Sequence, residues 1–360
     1  MAGRISSLRT HRATVPLRRP FTTAVRSTEM LDVLLVAVAD EDGRRGWGEV
    51  AMSWRVTGEG TTGAAAALEG PLREAVLGLP IDAPQVWARA IQGALARNSA
   101  ARAALDAALW DLHAQRLGLP LREVLANDSA TSVRTDMTIA IGPLEDALAD
   151  AAAHVDRGFR TLKVKVGTDP AHDDRLVRAL RSGPASESAL RVDANQGWSA
   201  DDAIRILRGW EDDGLGIELV EQPTRADDVD ALVRVREAVT TPVLADESMW
   251  GQRDLRELIR RGAADLVNIK LAKCGGVTAA RELAALAAEG GVGVIIGCML
   301  ESVVGVSAAA HVAATLPPAV HDLDAAQWLR RSPVEGGARS DADALLLSDD
   351  PGLGILGEAA

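Results

Sequence analysis

The sequence predicts an α/β fold: a (β/α) barrel of the TIM type, modified at its last units, preceded by an N-terminal α+β capping domain. Three observations carry this expectation. From about residue 131, eight short apolar segments alternate with longer helical ones. Before that point strand-like segments come first and helical ones follow as a block. The 360 residues also exceed the roughly 250 of a single barrel by enough for a smaller second domain.

The opening 60 residues contain ISSLRTHRATVPL and MLDVLLVAVAD, the turn EDGRRG and then WGEVAM, which read as strands joined by turns. Residues 64–126 change to helical periodicity in AAAALEGPLREAVLG, DAPQVWARAIQGAL and ARAALDAALWDLHAQRLG. In the last of these, Ala104, Leu105, Ala108, Leu109 and Leu112 recur at three- and four-residue spacing, and Gly118 supplies the stop. Residues 1–128 are therefore expected to form the capping domain. Residues 129–324 carry the barrel, with strands DMTIAIG, FRTLKVKVG, ALRVDAN, GIELVEQP, PVLADES, ADLVNIKLA, GVGVIIGCM and AVHDLD. After residue 324 the rhythm stops, and the Gly-, Pro- and Asp-rich segment 325–360 is expected to return to the capping domain.

The formal net charge of -12, from 51 acidic and 39 basic side chains, offers no general affinity for nucleic acid or an anionic membrane. With two Phe and no Tyr, stacking platforms for single-stranded nucleic acid are not expected either. No uncharged run reaches the roughly 20 residues of a membrane span, and MAGRISSLRTHRATVP lacks an apolar signal core. A cytoplasmic protein follows, with its assembly into a homo-oligomer left open. Cys274 and Cys298 lack metal-site spacing and are expected to be reduced and buried.

Chemistry gathers at the strand ends. RVDANQGW, IELVEQP and VLADES end three successive strands with Asp193, Glu221 and Asp246, which in a barrel share the catalytic rim. Three converging anions need a cation, and an all-oxygen donor set suits a hard divalent ion such as Mg²⁺. In TLKVKVG the strand period puts Lys163 and Lys165 on one face, with Gly167 turning the chain. VNIKLAKCGG places Lys270, with Asn268 on the same face, across the barrel from Lys165. Desolvation and a neighbouring cation favour a neutral amine, so Lys163 and the metal would tune Lys165 as a base. Lys163 also suits a substrate carboxylate. A metal-bound carboxylate makes its α proton abstractable, and a base on each side permits removal from one face and return to the other. Elimination from the same intermediate is equally open on these residues alone, and the six histidines form no ligand cluster.

This set resembles the enolase superfamily, in its muconate-lactonising branch, and within it the dipeptide epimerases that act on L-Ala-D/L-Glu. PFTTAVR, GWGEV, VTGE and ALDAALWDL carry the likeness through the first domain. The resemblance implies Lys165 and Lys270 as the acid/base pair beside Lys163, and Asp193, Glu221 and Asp246 as Mg²⁺ ligands supported by Asn195 and Glu247. It further implies that Asp322 and Asp324, in VHDLDAAQW, hold the ammonium of a dipeptide, that Thr138 and Cys298 (in GCMLES) line the pocket, and that Arg26 meets a glutamyl side chain. Thr22 stands where those enzymes often place a lysine, and Ser53 where a proline is common. A peptidoglycan fragment is the implied substrate. N-acylamino acid or N-succinylamino acid racemases, cycloisomerases and o-succinylbenzoate synthases of the branch share the same bases and metal. Two anions at 322 and 324 favour a cationic amine over a second carboxylate.

Overall fold

The computed structural model describes residues 3–23 and 27–358. The first domain is built on an antiparallel sheet of β1 (Ile5–Thr22), β2 (Ser27–Asp40) and β3 (Arg45–Val50). The helix Ser99–Leu117 lies across it, buried along most of its length, and ends at Gly118 with φ +71°. Gly46 and Gly48 allow that approach, since a Cβ on either would overlap the carbonyl of Ala108 or Ala104. Glu59, in VTGE, accepts the N–H groups of Ala100 and Ala101 at 2.9 and 3.1 Å and so satisfies the start of the same helix.

The barrel strands are β4 (Ser132–Thr135), β5 (Met137–Ile139), β6 (Thr161–Lys165), β7 (Ala189–Asp193), β8 (Ile217–Glu221), β9 (Val243–Ala245), β10 (Leu266–Lys270), β11 (Gly293–Gly297) and β12 (Val320–His321). β5 to β11 pair in chain order, all parallel. β12 pairs with β4, and a bridge between Gly297 and Asp322 closes the ring. The expected first strand DMTIAIG, which begins at Asp136, contains β5 and is shorter at both ends; β4 lies just before it, outside that run. Between the two strands, the Asp136 carboxylate accepts from the buried Arg191 at 3.0 Å. The last unit is modified as expected: β12 is two residues long and is followed by the 3-10 turn Ala325–Trp328 where a helix would stand.

Polar side chains join the two layers. Glu49, in GWGEV, accepts the N–H groups of Ser302 and Gly305 at the start of the helix Val303–Ala313. Asp106 accepts the Thr278 N–H at 3.0 Å and its hydroxyl at 2.7 Å. Asp111 takes the N–H groups of Trp47 and of Leu353, both at 2.7 Å, tying the sheet and the C-terminal segment to one helix. The same segment adds Ala344–Leu346 to β4 as an antiparallel neighbour.

Candidate active site

Parallel register places the chemistry. Lys165 pairs across to Asp193, and Asp193 to Glu221, because each is the last residue of its strand. Asp246 follows β9 by one residue and Lys270 ends β10. β6 and β10 are the second and sixth strands of eight, so Lys165 and Lys270 come from opposite sides of the ring. Both line one cleft, together with Thr138, Cys298, Asp322 and Asp324 from the barrel and Phe21 and Val56 from the first domain. Thr138 is the middle residue of β5.

Lys163 is 1 % exposed and lies below the cleft lining. Its Nζ is 2.7 Å from Glu221 Oε2, 2.7 Å from Asp322 Oδ2 and 3.2 Å from Asp193 Oδ2. Burial alone would lower its pKa, but Asp322, Glu221 and Asp193 outweigh it and hold the ammonium well above the ordinary lysine range. Lys165 donates to Asp193 Oδ2 at 2.6 Å. The adjacent lysines are therefore interleaved with carboxylates, and the simple repulsion expected between two neighbouring ammonium groups is replaced by a shared ion-pair network. Lys270 donates to Asp246 Oδ2 at 2.9 Å; burial opposes its charge, yet Asp246 raises its pKa.

The carboxylates divide by surroundings. Burial and the nearby Asp193 push Glu221 up to about 7, while for Asp246 burial is overcome by Lys270 and Lys273 and the pKa falls. Asp322 is lowered against burial chiefly by Lys163. Asp324 is raised by burial and by Asp322, although it accepts the Thr138 N–H at 2.8 Å and the Trp328 Nε1–H at 3.1 Å. Cys298 Sγ sits 3.2 Å from the Asp322 carbonyl, and burial holds its thiol protonated.

Asp193, Glu221 and Asp246 supply the all-oxygen donor set that a hard divalent cation takes. Among the described residues no three carboxylates form a ready cage, because each is turned to an ammonium group. Beside them, however, Asn195 Oδ1 and Glu247 Oε2 are buried acceptors with no hydrogen-bond partner. Asn195 N–H holds Asp193 Oδ1 at 2.9 Å and its amide donates to Glu247 Oε1 at 3.2 Å. Burial together with Asp246 and Asp193 raises Glu247 to about 7. Crowded anions and orphaned oxygens are what a cation relieves.

Arg26 lies outside the described residues. Thr22 ends β1, its hydroxyl 2.8 Å from that of Ser27. Ser53 organises the loop that carries Val56, its carbonyl accepting the N–H groups of Val56, Thr57 and Gly58. His321 Nδ1 accepts the Ile296 N–H, as its strand position behind Asp322 predicts.

Three neighbours of these residues carried no assigned role in the sequence. Asn268 donates to Glu221 Oε1 at 3.0 Å, and its shared face with Lys270 was the available signal. Trp328 packs edge-on against Phe21, centroids 4.8 Å apart, and nothing but its place after Asp324 marked it. Lys273 is 3 % exposed and bonded to Asp246; an ionisable residue three places after Lys270, before a glycine pair, was its only trace.

Comparison with known proteins identifies the family. Residues 5–126 match the Mandelate racemase / muconate lactonizing enzyme N-terminal domain, and residues 146–357 the Enolase C-terminal domain-like family. The L-Ala-D/L-Glu epimerase of Bacillus subtilis is 38% identical over 358 residues, 99% of this chain and 98% of that protein. A substrate-liganded structure of the Bacillus subtilis enzyme superposes with TM-score 0.97, covering 99% of this chain and 100% of that one at 37% identity. The dipeptide epimerase of Enterococcus faecalis V583, solved with Mg and L-Leu-L-Tyr, gives TM-score 0.94 at 35% identity over 98% and 99% of the two chains. The N-succinyl-L-Arg/Lys racemase of Bacillus cereus is 30% identical over 98% of this chain and 95% of that protein. With full-length relatives above 30% identity and matches to both domain families, the chain belongs to the enolase superfamily.

Proposed function

We propose that this chain is a cytoplasmic, Mg²⁺-dependent dipeptide epimerase, with L-Ala-D/L-Glu, a peptidoglycan fragment, as its leading substrate. The observation that carries it is the cleft in which Lys165 and Lys270 approach from opposite strands while Asp322 and Asp324 line the same space. Asp193, Glu221 and Asp246 would hold the metal, supported by Asn195 and Glu247. Bound there, Mg²⁺ supplies Lewis-acid stabilisation of the charge that develops on the substrate carboxylate.

The chain's own groups do the rest. One of Lys165 and Lys270, as the free amine, takes the α proton of the C-terminal residue, and the other returns a proton to the opposite face. Lys163, set among three carboxylates, contributes a fixed positive charge on the side of the reacting carboxylate. Asp322 and Asp324 receive the substrate ammonium, and Arg26 the glutamyl side chain. The partner is a small dipeptide; no nucleic acid or membrane is required.

The rival is an N-succinylamino acid racemase, the activity named for the Bacillus cereus relative. An acylated nitrogen would leave Asp322 and Asp324 facing no cation from the substrate, a costly arrangement in a buried site. A panel of L,L-dipeptides, each beside its N-acetyl and N-succinyl form, separates the two. Epimerisation of free dipeptides with at least ~10-fold preference over acylated forms is expected, about the loss of one charge-assisted contact. Turnover of N-succinylamino acids alone would overturn the assignment.

A further inference from the structure

The short helix Leu271–Cys274 follows β10 and carries Lys273 one turn beyond Lys270. The Lys273 ammonium is buried inside the turn that follows β9. It bonds to the carbonyl and the Oδ1 of Asp246 and to the Met249 carbonyl at 3.1 Å, with the Asn268 carbonyl further off at 3.4 Å. Its three N–H donors are thus satisfied by Asp246, twice, and Met249, which is what a buried ammonium requires. Lys270 is placed differently. Among the described residues its hydrogen bond goes to Asp246 Oδ2 at 2.9 Å, although both lysines line the cleft.

Asp246 therefore stands between two ammonium groups, one on each carboxylate oxygen. The terminal torsion of an aspartate is broad, so a single contact leaves the plane of the carboxylate poorly fixed. A base that turns to a substrate must let go of Oδ2. From this geometry we infer that Lys273 is a positioning residue: it fixes the carboxylate plane of Asp246 for the divalent ion, independently of what Lys270 does in the catalytic cycle. The inference rests on the assignment of Asp246 as a metal ligand. Partners of this kind around a metal ligand typically change affinity or activity by about 10–100-fold.

The test is Mn²⁺ and Mg²⁺ affinity by calorimetry for the wild-type chain and Lys273→Met, which keeps the stem and removes the charge. Circular dichroism and Tm are measured alongside. A folded Lys273→Met with metal affinity lowered by about 10-fold or more, and kcat partly restored by excess Mg²⁺, is the expected result. Lys273→Gln, which retains amide donors, should fall between the two. Wild-type affinity in a folded Lys273→Met would overturn the inference. So would loss of the fold in both variants, which would assign the residue to stability alone. Dipeptide turnover by the wild-type chain is scored separately: wild-type turnover with unchanged variant affinity rejects Lys273 only, whereas a wild-type chain that binds neither ion rejects the metal assignment with it.

Discussion

Asp322 and Asp324 are two residues apart and both buried, yet one is held ionised by Lys163 and the other is pushed toward its neutral form by burial and by its neighbour. Asp322 is thus the stronger anion for a substrate ammonium. Asp322→Asn should lower kcat/KM for free dipeptides by about 10²-fold, since it removes a charge-assisted contact and leaves Lys163 short of a partner. Asp324→Asn should cost less, because its Oδ2 already accepts the Thr138 N–H and the Trp328 Nε1–H. Steady-state kinetics on one dipeptide ranks them, and the reverse order would contradict the assignment. At this scale much was legible in the sequence. A period of two and an abrupt polar residue at the end of an apolar run were enough to put Lys165, Asp193, Glu221, Asp246 and Lys270 on one rim. The partners of Lys163 were not legible, because they come from three other strands.

At the scale of elements, two positions show how the fold supports the cleft. Gly48 gives the helix Ser99–Leu117 its contact with β3, so Gly48→Ala should destabilise the chain by about 3 kcal/mol in urea unfolding, through backbone overlap. Glu301 follows the cleft residues Met299 and Leu300 and accepts the Met299 N–H at 2.7 Å. Burial, with the nearby Glu49, raises its pKa from 4.5 to about 8. A raised folded pKa favours the protonated native form, so this contribution is complete below the unfolded value and is lost as pH rises through about 8. Thermal melts from pH 5 to 9 should therefore show Glu301→Gln losing less stability than wild type over that range, by on the order of 3 °C in Tm. Parallel curves would mean that Glu301 does not change its charge there. The separate strand β4 was not legible: the DMTIAIG run holds β5 alone, and β4 just before it is defined by pairing with β12 and with the C-terminal segment, both distant in sequence.

Across the whole molecule, carboxylates of the quoted motifs satisfy backbone N–H groups: Glu49 and Asp106 join the first domain to the barrel, Asp111 ties it to the C-terminal segment, and Glu59 holds a helix start within it. GWGEV supplies Glu49 to Ser302, VTGE supplies Glu59 to a helix start, and ALDAALWDL supplies Asp106 and Asp111. The sequence marked these residues through likeness alone, since a cap between distant segments leaves no local period. Asp111→Ala should leave the N–H groups of Trp47 and Leu353 unpaired, at about 1–3 kcal/mol each in equilibrium unfolding. What the joints hold in place is a cleft with Phe21 and Val56 on one side and two opposed lysines on the other. The central claim is that those lysines work on opposite faces of one α carbon. Proton NMR of L-Ala-L-Glu and L-Ala-D-Glu in D₂O with Mg²⁺ tests it directly, using the wild-type chain, Lys165→Ala and Lys270→Ala. The account predicts α-deuterium in both diastereomers with the wild-type chain, and loss of epimerisation in each variant with residual exchange confined to a different diastereomer. Normal epimerisation of both substrates by either variant would contradict it.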